Sequence, residues 1–289
     1  MSLNLHPRAD LSNAQITDLE KAMTAFYKNP PPRYYQMADR KSAEYNESRQ
    51  PYHCDLVGRV FPSATLLEAG CGTAHLCPHV EKKGGLYHGV DHSEELLADN
   101  RRRFPNARFF PVQSPPSQTF DIVASLYTLE HVADPPAYLK MLWNFCRPGG
   151  LIAIICPEFI DSPGYAPSIF FGHTPRRLRE KLKTGAFADA AMHGIDLKLR
   201  ARQWKKRAQK AAPGAFWINL AARALYEKDY DVDTDAVHLP RLLDLIWFYQ
   251  TKGAEILQTS SAVKGVSLPV IQYNCYLLVR KPISTPPTA

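Results

Sequence analysis

The chain has 289 residues, of which 45% are hydrophobic and 11% aromatic, values typical of a globular protein. Its longest interior apolar run, residues 151–156, is far shorter than the roughly 18 residues that a membrane span needs. The N-terminal sequence lacks the apolar core and cleavage site of a secretory signal, so we expect a cytoplasmic protein. The net charge of +7 comes from residues 175–210, where twelve Lys or Arg residues stand against three acidic residues. Such a block indicates either an anionic partner or a solvated face.

Residues 1–60 show a helical pattern and are rich in aromatic residues. From about residue 63 to residue 157, β-rich apolar runs alternate with helical patterns, which is typical of a parallel sheet. The predicted strands are 65–67, 86–90, 108–112, 120–125 and 151–156, and the predicted helices are about 74–83, 93–103 and 135–146. The last helix is followed by Arg147-Pro148-Gly149-Gly150, which predicts a turn.

Regular alternation stops after residue 157 and resumes near residue 239 with a helix to about 252. Strands near 254–260 and 269–280 follow, and they can pair as an antiparallel edge. The pattern predicts a Rossmann-like, doubly wound α/β sheet that is mostly parallel, with an antiparallel last strand. We expect an N-terminal helical lid (1–60), a core (61–157 and 239–282), a helical cap insertion (158–238) and a disordered tail (283–289).

A glycine loop, Glu68-Ala69-Gly70-Cys71-Gly72-Thr73, follows the first strand of the predicted core. Closely spaced glycines allow a sharp turn and close approach to a ligand, which is typical of dinucleotide and S-adenosylmethionine (SAM) sites. A dinucleotide site needs a small residue where this chain has His75, so the loop favours SAM. Asp91 ends the next strand, where its carboxylate can accept both ribose hydroxyls. The alternative is a purely structural turn, with Asp91 as a helix cap.

Five motifs occur here in the order found in class I SAM-dependent methyltransferases, and the chain resembles that family. The similarity is to small-molecule enzymes related to quinone-biosynthesis and sugar methyltransferases. The motifs are Leu67–Thr73, Gly89–Ser93, Phe120–Val123, Leu129–Val132 and Arg147–Gly150. The resemblance covers about residues 60–160, with weaker agreement over 239–280. Ala74 departs from the pattern because a third glycine is usual there.

The resemblance implies a set of residues around SAM. Gly70, Cys71 and Gly72 would contact its methionine part, and Asp91 would hold its ribose. The full set of implied cofactor residues is Tyr45, Glu68, Gly70, Cys71, Gly72, Asp91, His92, Gln113, Ser114, Ser125 and Leu126. Within this set His92 would lie beside the adenine, and Gln113 stands with Ser114 where the family has an acidic adenine contact. An amide oxygen can still accept a hydrogen bond from the adenine amine.

Methyl transfer from a sulfonium is a direct displacement that needs no enzyme nucleophile, although a hydroxyl acceptor needs a base. His131 is the first candidate, because it follows the fourth strand at the carboxyl edge of the sheet, and imidazoles have an unperturbed pKa of ~6.5. Glu130 is its predicted catalytic neighbour; alternatively, this pair orders the loop and caps the next helix. His173, His238 and Glu158 are further candidates.

We predict no metal site. The six cysteines form no C-x-x-C pair and are expected to be reduced thiols. Asp231, Asp233 and Asp235 resemble the start of a calcium loop, but Ala236 and Leu242 stand where its glycine and closing glutamate should be. A polar turn is therefore expected, with a magnesium site as the alternative.

The predicted function is SAM-dependent O-methylation of a small molecule or of a sugar or glycan precursor. In the predicted cap, two basic clusters could hold phosphate or carboxylate groups: Arg176, Arg177 and Arg179, and Lys205, Lys206 and Arg207. Aromatic residues there either stack on the substrate or form a core: Phe187, Trp204, Phe216 and Trp217. The alternatives are N- or C-methylation, an RNA methyltransferase that uses the basic block, and a SAM-binding protein without transfer activity. RNA is disfavoured because no RNA-binding module is recognisable.

Overall fold

The computed structural model describes residues 4–28, 30–34, 50–169, 178–226 and 232–283. The strands of this part are β1 (Leu5–Pro7), β2 (Thr65–Ala69), β3 (Leu86–Asp91), β4 (Arg108–Pro111), β5 (Phe120–Leu126), β6 (Cys146–Pro157), β7 (Trp217–Asn219), β8 (His238–Leu239), β9 (Glu255–Thr259) and β10 (Asn274–Arg280). Seven of them form the central sheet, in the order β4-β3-β2-β5-β6-β10-β9. Strand β10 runs antiparallel to both of its neighbours, and the other pairs are parallel. The predicted Rossmann-like sheet with an antiparallel last strand is confirmed.

Helices cover both faces of this sheet. The described α-helices, not all of which pack on the central sheet, are α1 (Asn13–Lys28), α2 (Pro51–Gly58), α3 (Cys77–Lys82), α4 (Glu94–Arg103), α5 (Pro135–Phe145), α6 (Leu178–Lys183), α7 (Phe187–Ile195), α8 (Arg202–Lys210), α9 (Arg223–Tyr226), α10 (Leu242–Gln250) and α11 (Leu268–Tyr273). One face is packed by α5 and α10, and the other by α2, α3 and α4. The central strands β5 and β6 are apolar along most of their length because both of their faces are buried.

Three sequence-predicted boundaries were wrong. The helix predicted from residue 74 begins at Cys77, because Ala74 adopts a left-handed conformation (φ 55°) that a helix cannot continue through. The segment Arg147–Gly150, predicted as a turn, already belongs to β6, because Gly149 and Gly150 exchange backbone hydrogen bonds with Lys281. The last strand begins at Asn274, not 269, because the preceding residues form α11, whose first turn contains a proline.

A second, three-stranded sheet joins the N-terminus to the segment that follows β6. Strand β7 pairs antiparallel with β1 on one side and with β8 on the other. The amide of Val237 donates to the carbonyl of Glu130 over 2.9 Å, and Arg8 forms a 2.8 Å ion pair with Asp134. The small sheet therefore lies against the turn that carries His131. The boundaries between lid, core, cap and tail stay predictions.

No helix in the described ranges combines the length and the apolar composition that crossing a membrane requires. All six cysteines have free thiols, and five of them are buried.

Candidate cofactor site and active site

The glycine loop lies at the carboxyl end of β2, next to the point where the strand order of the sheet reverses. Open α/β sheets bind ligands in the crevice at this point. Gly70 and Gly72 have positive φ angles of 76° and 48°, and the amides of Gly70 and Cys71 both donate to the carbonyl of Val90. A Cβ atom on Gly70 would overlap the side chain of Thr128, whereas one on Gly72 would meet no atom within 4 Å. The two glycines therefore have different roles. Gly70 allows close packing against Thr128, whereas Gly72 is needed only for the left-handed backbone conformation.

This difference predicts the stability of two matched variants. We expect Gly70→Ala to lower the free energy of unfolding by about 3 kcal/mol, from left-handed backbone strain plus overpacking against Thr128. Gly72→Ala should cost only about 1–2 kcal/mol, because strain is its sole penalty. Urea unfolding followed by circular dichroism measures both values. Equal losses in the two variants would contradict the packing role of Gly70.

Asp91 connects the glycine loop to the end of β3. Its Oδ2 accepts a hydrogen bond from the amide of Gly72 at 2.8 Å, and its Oδ1 accepts one from the amide of Ser93 at 2.9 Å. Asn100, fully buried in α4, donates from Nδ2 to the carbonyl of Gly72 at 2.7 Å. Asn100 was not predicted as a site residue, since an asparagine inside a charged helix carries no distinctive signal. Together these contacts hold the loop against the carboxylate that was predicted to bind ribose.

Glu68, the last but one residue of β2, is buried beneath the loop and accepts a hydrogen bond from the hydroxyl of Tyr87. Burial raises the pKa of Glu68 to about 8, and burial also raises the pKa of Tyr87 well above its usual range. Below that pH the folded protein therefore holds Glu68 as a neutral carboxylic acid. It supports the loop from inside and does not carry a charge to the ligand at neutral pH.

The raised pKa of Glu68 predicts a pH dependence of stability. An unfolded glutamate titrates near pH ~4.3, so between about pH 4.5 and 8 the folded state binds one more proton than the unfolded state. The contribution of Glu68 to the free energy of unfolding is therefore fully present below about pH 4.5. It is lost as pH rises from about 4.5 to 8, at up to ~1.4 kcal/mol per pH unit. Glu68→Gln should remove this slope, measured by urea unfolding at pH 5 and pH 8. Glu95→Gln, on the exposed face of α4, should keep the wild-type slope; an unchanged slope in Glu68→Gln would contradict this role.

The other predicted cofactor residues lie in different environments. Ser125 is fully buried at the end of β5, and its hydroxyl hydrogen-bonds with that of Tyr138, which also donates to the carbonyl of Ala69. Leu126 is half-buried, and its carbonyl accepts from Thr128 Oγ1 at 3.2 Å. Cys71 is buried, whereas three residues are exposed near the ends of β3 and β4: His92, Gln113 and Ser114. Tyr45 lies outside the described residues.

His131 ends a short 3-10 turn after β5, and carboxylates flank both of its ring nitrogens. Nδ1 lies 3.4 Å from Oδ2 of Asp235, and Nε2 lies 3.8 Å from Oε1 of Glu130. Both carboxylates are buried, with side-chain exposures of 0% and 1%, while His131 is 18% exposed. Tyr27 of α1 donates to the same oxygen of Asp235, and its ring centroid lies 5.6 Å from that of His131. Asp235 was predicted as part of a polar turn, with a magnesium site as the alternative, and Tyr27 was not among the predicted site residues.

The remaining base candidates differ in access. His238 is fully buried, its Nδ1 lies 3.1 Å from the carbonyl of Leu129, and burial lowers its pKa to about 3. It is therefore neutral and shielded. Glu158 accepts backbone hydrogen bonds from Ile160, Asp161 and Leu242, so it orders the chain after β6 and the start of α10. His173 lies outside the described residues.

A cleft of about 280 Å³ lies beside the carboxyl ends of β5 and β6. Its described lining is mainly aromatic and polar: Tyr127, Glu158, Phe159, Ser162, Tyr165, Asp233, Tyr273 and Asn274. No lysine or arginine of the described ranges lines it. Of the predicted basic clusters, Arg176 and Arg177 lie outside the described residues, and Lys205 turns inward to donate to the carbonyls of Ser162 and Gly164. Among the cap aromatics, Trp204, Phe216 and Trp217 are buried, and Phe187 is exposed.

Residues 45–213, more than half of the chain, match the family model described as a methyltransferase domain. The chain belongs to this methyltransferase family. The ordered motifs had predicted this membership.

Relatives of the methyltransferase include a probable S-adenosylmethionine-dependent methyltransferase from Mycolicibacterium smegmatis. It is 25% identical over 173 residues, which cover 53% of this chain and 66% of the relative. The ubiquinone biosynthesis O-methyltransferase of Rhodopseudomonas palustris is 26% identical over 149 residues, covering 49% and 56% of the two chains. The methyltransferase thus spans about half to two thirds of the length of these relatives.

A solved structure shares the fold of the methyltransferase. It is the 1,6-didemethyltoxoflavin-N1-methyltransferase of Burkholderia thailandensis, with bound 1,6-didemethyltoxoflavin and S-adenosylhomocysteine. The match has a TM-score of 0.54 at 16% identity and covers 92% of this chain and 90% of that one. At this identity the likeness concerns the fold alone.

Proposed function

We propose that this methyltransferase transfers the methyl group of SAM to a hydroxyl of a small molecule, with His131 as the general base. Family membership and SAM-dependent relatives support the donor and the reaction class. The observation that carries the proposal is the proximity of Asp91 to the glycine loop, because it joins a ribose acceptor to a backbone that a ligand can approach closely.

The loop residues fit SAM. Each oxygen of Asp91 accepts one backbone hydrogen bond and retains a lone pair, so the carboxylate can still accept the two ribose hydroxyls. At Gly72 the loop has open space where a side chain would stand, so the methionine part can approach the backbone there. SAM supplies an activated methyl group, whose transfer forms an oxygen–carbon bond and leaves the sulfur as a neutral thioether.

His131 has the surroundings of a positioned base. The carboxylate of Asp235 lies 3.4 Å from Nδ1 without forming a hydrogen bond to it, and its charge supports the positive charge that the ring gains with a proton. Because Nδ1 is buried against Asp235, we assign the uptake of the hydroxyl proton to Nε2. Tyr27 donates to the same oxygen of Asp235 that lies next to His131, which makes docking of α1 part of the active arrangement.

The cleft beside β5 and β6 supports a small acceptor. His131 is not among its described lining residues, so the proposal requires the acceptor to extend from the cleft toward His131. Its volume is near the lower end of the range of ligand pockets, roughly 300–1,000 Å³. Aromatic rings and the amide of Asn274 suit a small cyclic compound with hydroxyl groups, which includes sugars and phenols.

The test has two steps. Isothermal titration of the protein with SAM and with S-adenosylhomocysteine should show binding of both, and absence of binding would overturn the proposal. The formation of S-adenosylhomocysteine is then measured with matched panels of phenols, sugars, amines and RNA. Turnover with hydroxyl compounds supports the proposal, whereas turnover confined to amines or to RNA would contradict O-methylation of a small molecule.

A further inference from the structure

A basic groove lies on the outer side of α8, away from the glycine loop and the cleft. Its cationic side chains are Lys206, Arg207 and Lys210, and its apolar floor consists of Pro7, Ala211 and Trp217. Its volume is about 540 Å³. None of these six residues lines the cleft or contributes to the glycine loop, so the groove is a separate feature of the molecule.

The three cations of the basic groove are exposed. Lys210 follows Lys206 by four positions and Arg207 by three in α8, so its side chain lies near both of theirs at the groove. Other cations of residues 175–210 form ion pairs: Lys181 lies 3.1 Å from Asp189, and Arg200 lies 2.7 Å from Asp196. Within the described ranges, no ion pair involves a cation of the groove. Like charges at this spacing repel one another, and a bound anion would relieve that repulsion.

Trp217 contributes to the apolar floor of the groove and positions one of its cations. Its side chain is 1% exposed, and its indole Nε1 is buried, so it does not reach a ligand in the groove. The guanidinium of Arg207 lies 5.6 Å from the Trp217 ring centroid, a cation–π contact that fixes the position of Arg207. Lysine and arginine side chains can donate but cannot accept. All charged side chains of the groove are therefore donors, which selects an acceptor-rich ligand.

We propose that the basic groove binds the phosphate group of an organic phosphate ester. Phosphate offers several acceptor oxygens to a planar guanidinium and to lysine ammonium groups, and the apolar floor suits the organic part of the ester. The site would be additional to the methyl-transfer site and does not depend on the proposed function.

The test compares two double variants. Lys206→Ala/Lys210→Ala removes two groove charges, and Lys83→Ala/Lys264→Ala removes two exposed charges elsewhere, so both change the net charge equally. Isothermal titration uses inorganic pyrophosphate as the probe, and thermal unfolding checks the fold. The groove variant should bind at least tenfold more weakly than the wild type, since one lost charge-assisted contact is worth about a factor of ten. The control variant should bind like the wild type.

Vesicles identify the source of the phosphate. Lysine-dependent binding to phosphatidylglycerol vesicles, with none to phosphatidylcholine vesicles, would support phosphate recognition and indicate a lipid headgroup. Binding of pyrophosphate without vesicle binding would indicate a free organic phosphate. Equal affinities of both double variants for pyrophosphate, or no binding of either probe by the wild type, would overturn the proposal.

Discussion

The Asp91→Ala variant should bind SAM about 100-fold more weakly than the wild-type protein. Two charge-assisted hydrogen bonds to the ribose would be lost, each worth about 1.5 kcal/mol, and 1.4 kcal/mol corresponds to a factor of ten. The same substitution removes the acceptor for the amides of Gly72 and Ser93, so the loop also loses its support. Isothermal titration with SAM measures the affinity, and thermal unfolding shows whether the fold survives.

Two further variants make this result specific. Asp91→Asn keeps one acceptor oxygen and should lose about tenfold in affinity, an intermediate effect. Asp99→Ala, on the partly exposed face of α4, removes a carboxylate that pairs with Arg102 and should leave SAM affinity unchanged. An Asp91→Ala affinity within threefold of the wild type would show that the ribose is held elsewhere.

We expect His131→Gln to lower kcat by about 100-fold to 10,000-fold, the range that a general base contributes. Glutamine keeps polarity and approximate size but cannot take up a proton at neutral pH. The assay measures S-adenosylhomocysteine formation with a hydroxyl acceptor found in the substrate panel. The Kd for SAM should stay at its wild-type value, because His131 is assigned to the acceptor and not to the cofactor. A kcat within threefold of the wild type would exclude His131 as the base.

Asp235→Asn tests how His131 is positioned. The isosteric amide removes the charge next to Nδ1, so we expect kcat to fall about tenfold or more while KM changes little. Tyr27→Phe removes the hydroxyl that holds Asp235 and should lower kcat in the same direction by a smaller factor. Asp10→Asn is the matched control, because Asp10 is exposed in the N-terminal segment. Equal kcat values for Asp235→Asn and Asp10→Asn would assign Asp235 a purely structural role.

These predictions depend on contacts made between distant parts of the chain. Strand β1 pairs with β7, and β8 of the same small sheet lies next to the turn of His131. Tyr27 and Asp235 are separated by 208 positions, yet they share one hydrogen bond. Accordingly, substitutions that undock β1 or remove the Tyr27 contact should affect the catalytic arrangement, although these residues lie far from the glycine loop in sequence.

Local patterns were sufficient for the cofactor half of the molecule. The glycine loop and Asp91 could be located because each follows a strand whose apolar run is readable, and parallel strands bring their carboxyl ends to one sheet edge. Asn100 and the hydroxyl pair of Ser125 and Tyr138 could not be found in this way. Their partners are backbone or side-chain groups that only packing brings within hydrogen-bonding distance.

The predicted basic clusters of the cap differed more from the structure than the glycine loop did. Lys205, Lys206 and Arg207 were predicted to form one anion-binding cluster, but Lys205 points into the protein while Lys206 and Arg207 line the basic groove. Consecutive residues of a helix point in different directions, so a run of charges in the sequence does not define a surface.

By itself, the sequence determined the parallel sheet, the antiparallel last strand, the glycine loop and the position of Asp91 at the end of the next strand. Periodicity and chain order are sufficient for these features, because neighbouring strands and loops follow from local burial. Only the tertiary structure decided that Asp235 and Tyr27 meet His131, that Glu68 is held as a neutral acid, and that the basic residues face away from the cleft. The physical reason is that side-chain direction, burial and desolvation depend on residues remote in the chain, whose positions no local pattern contains.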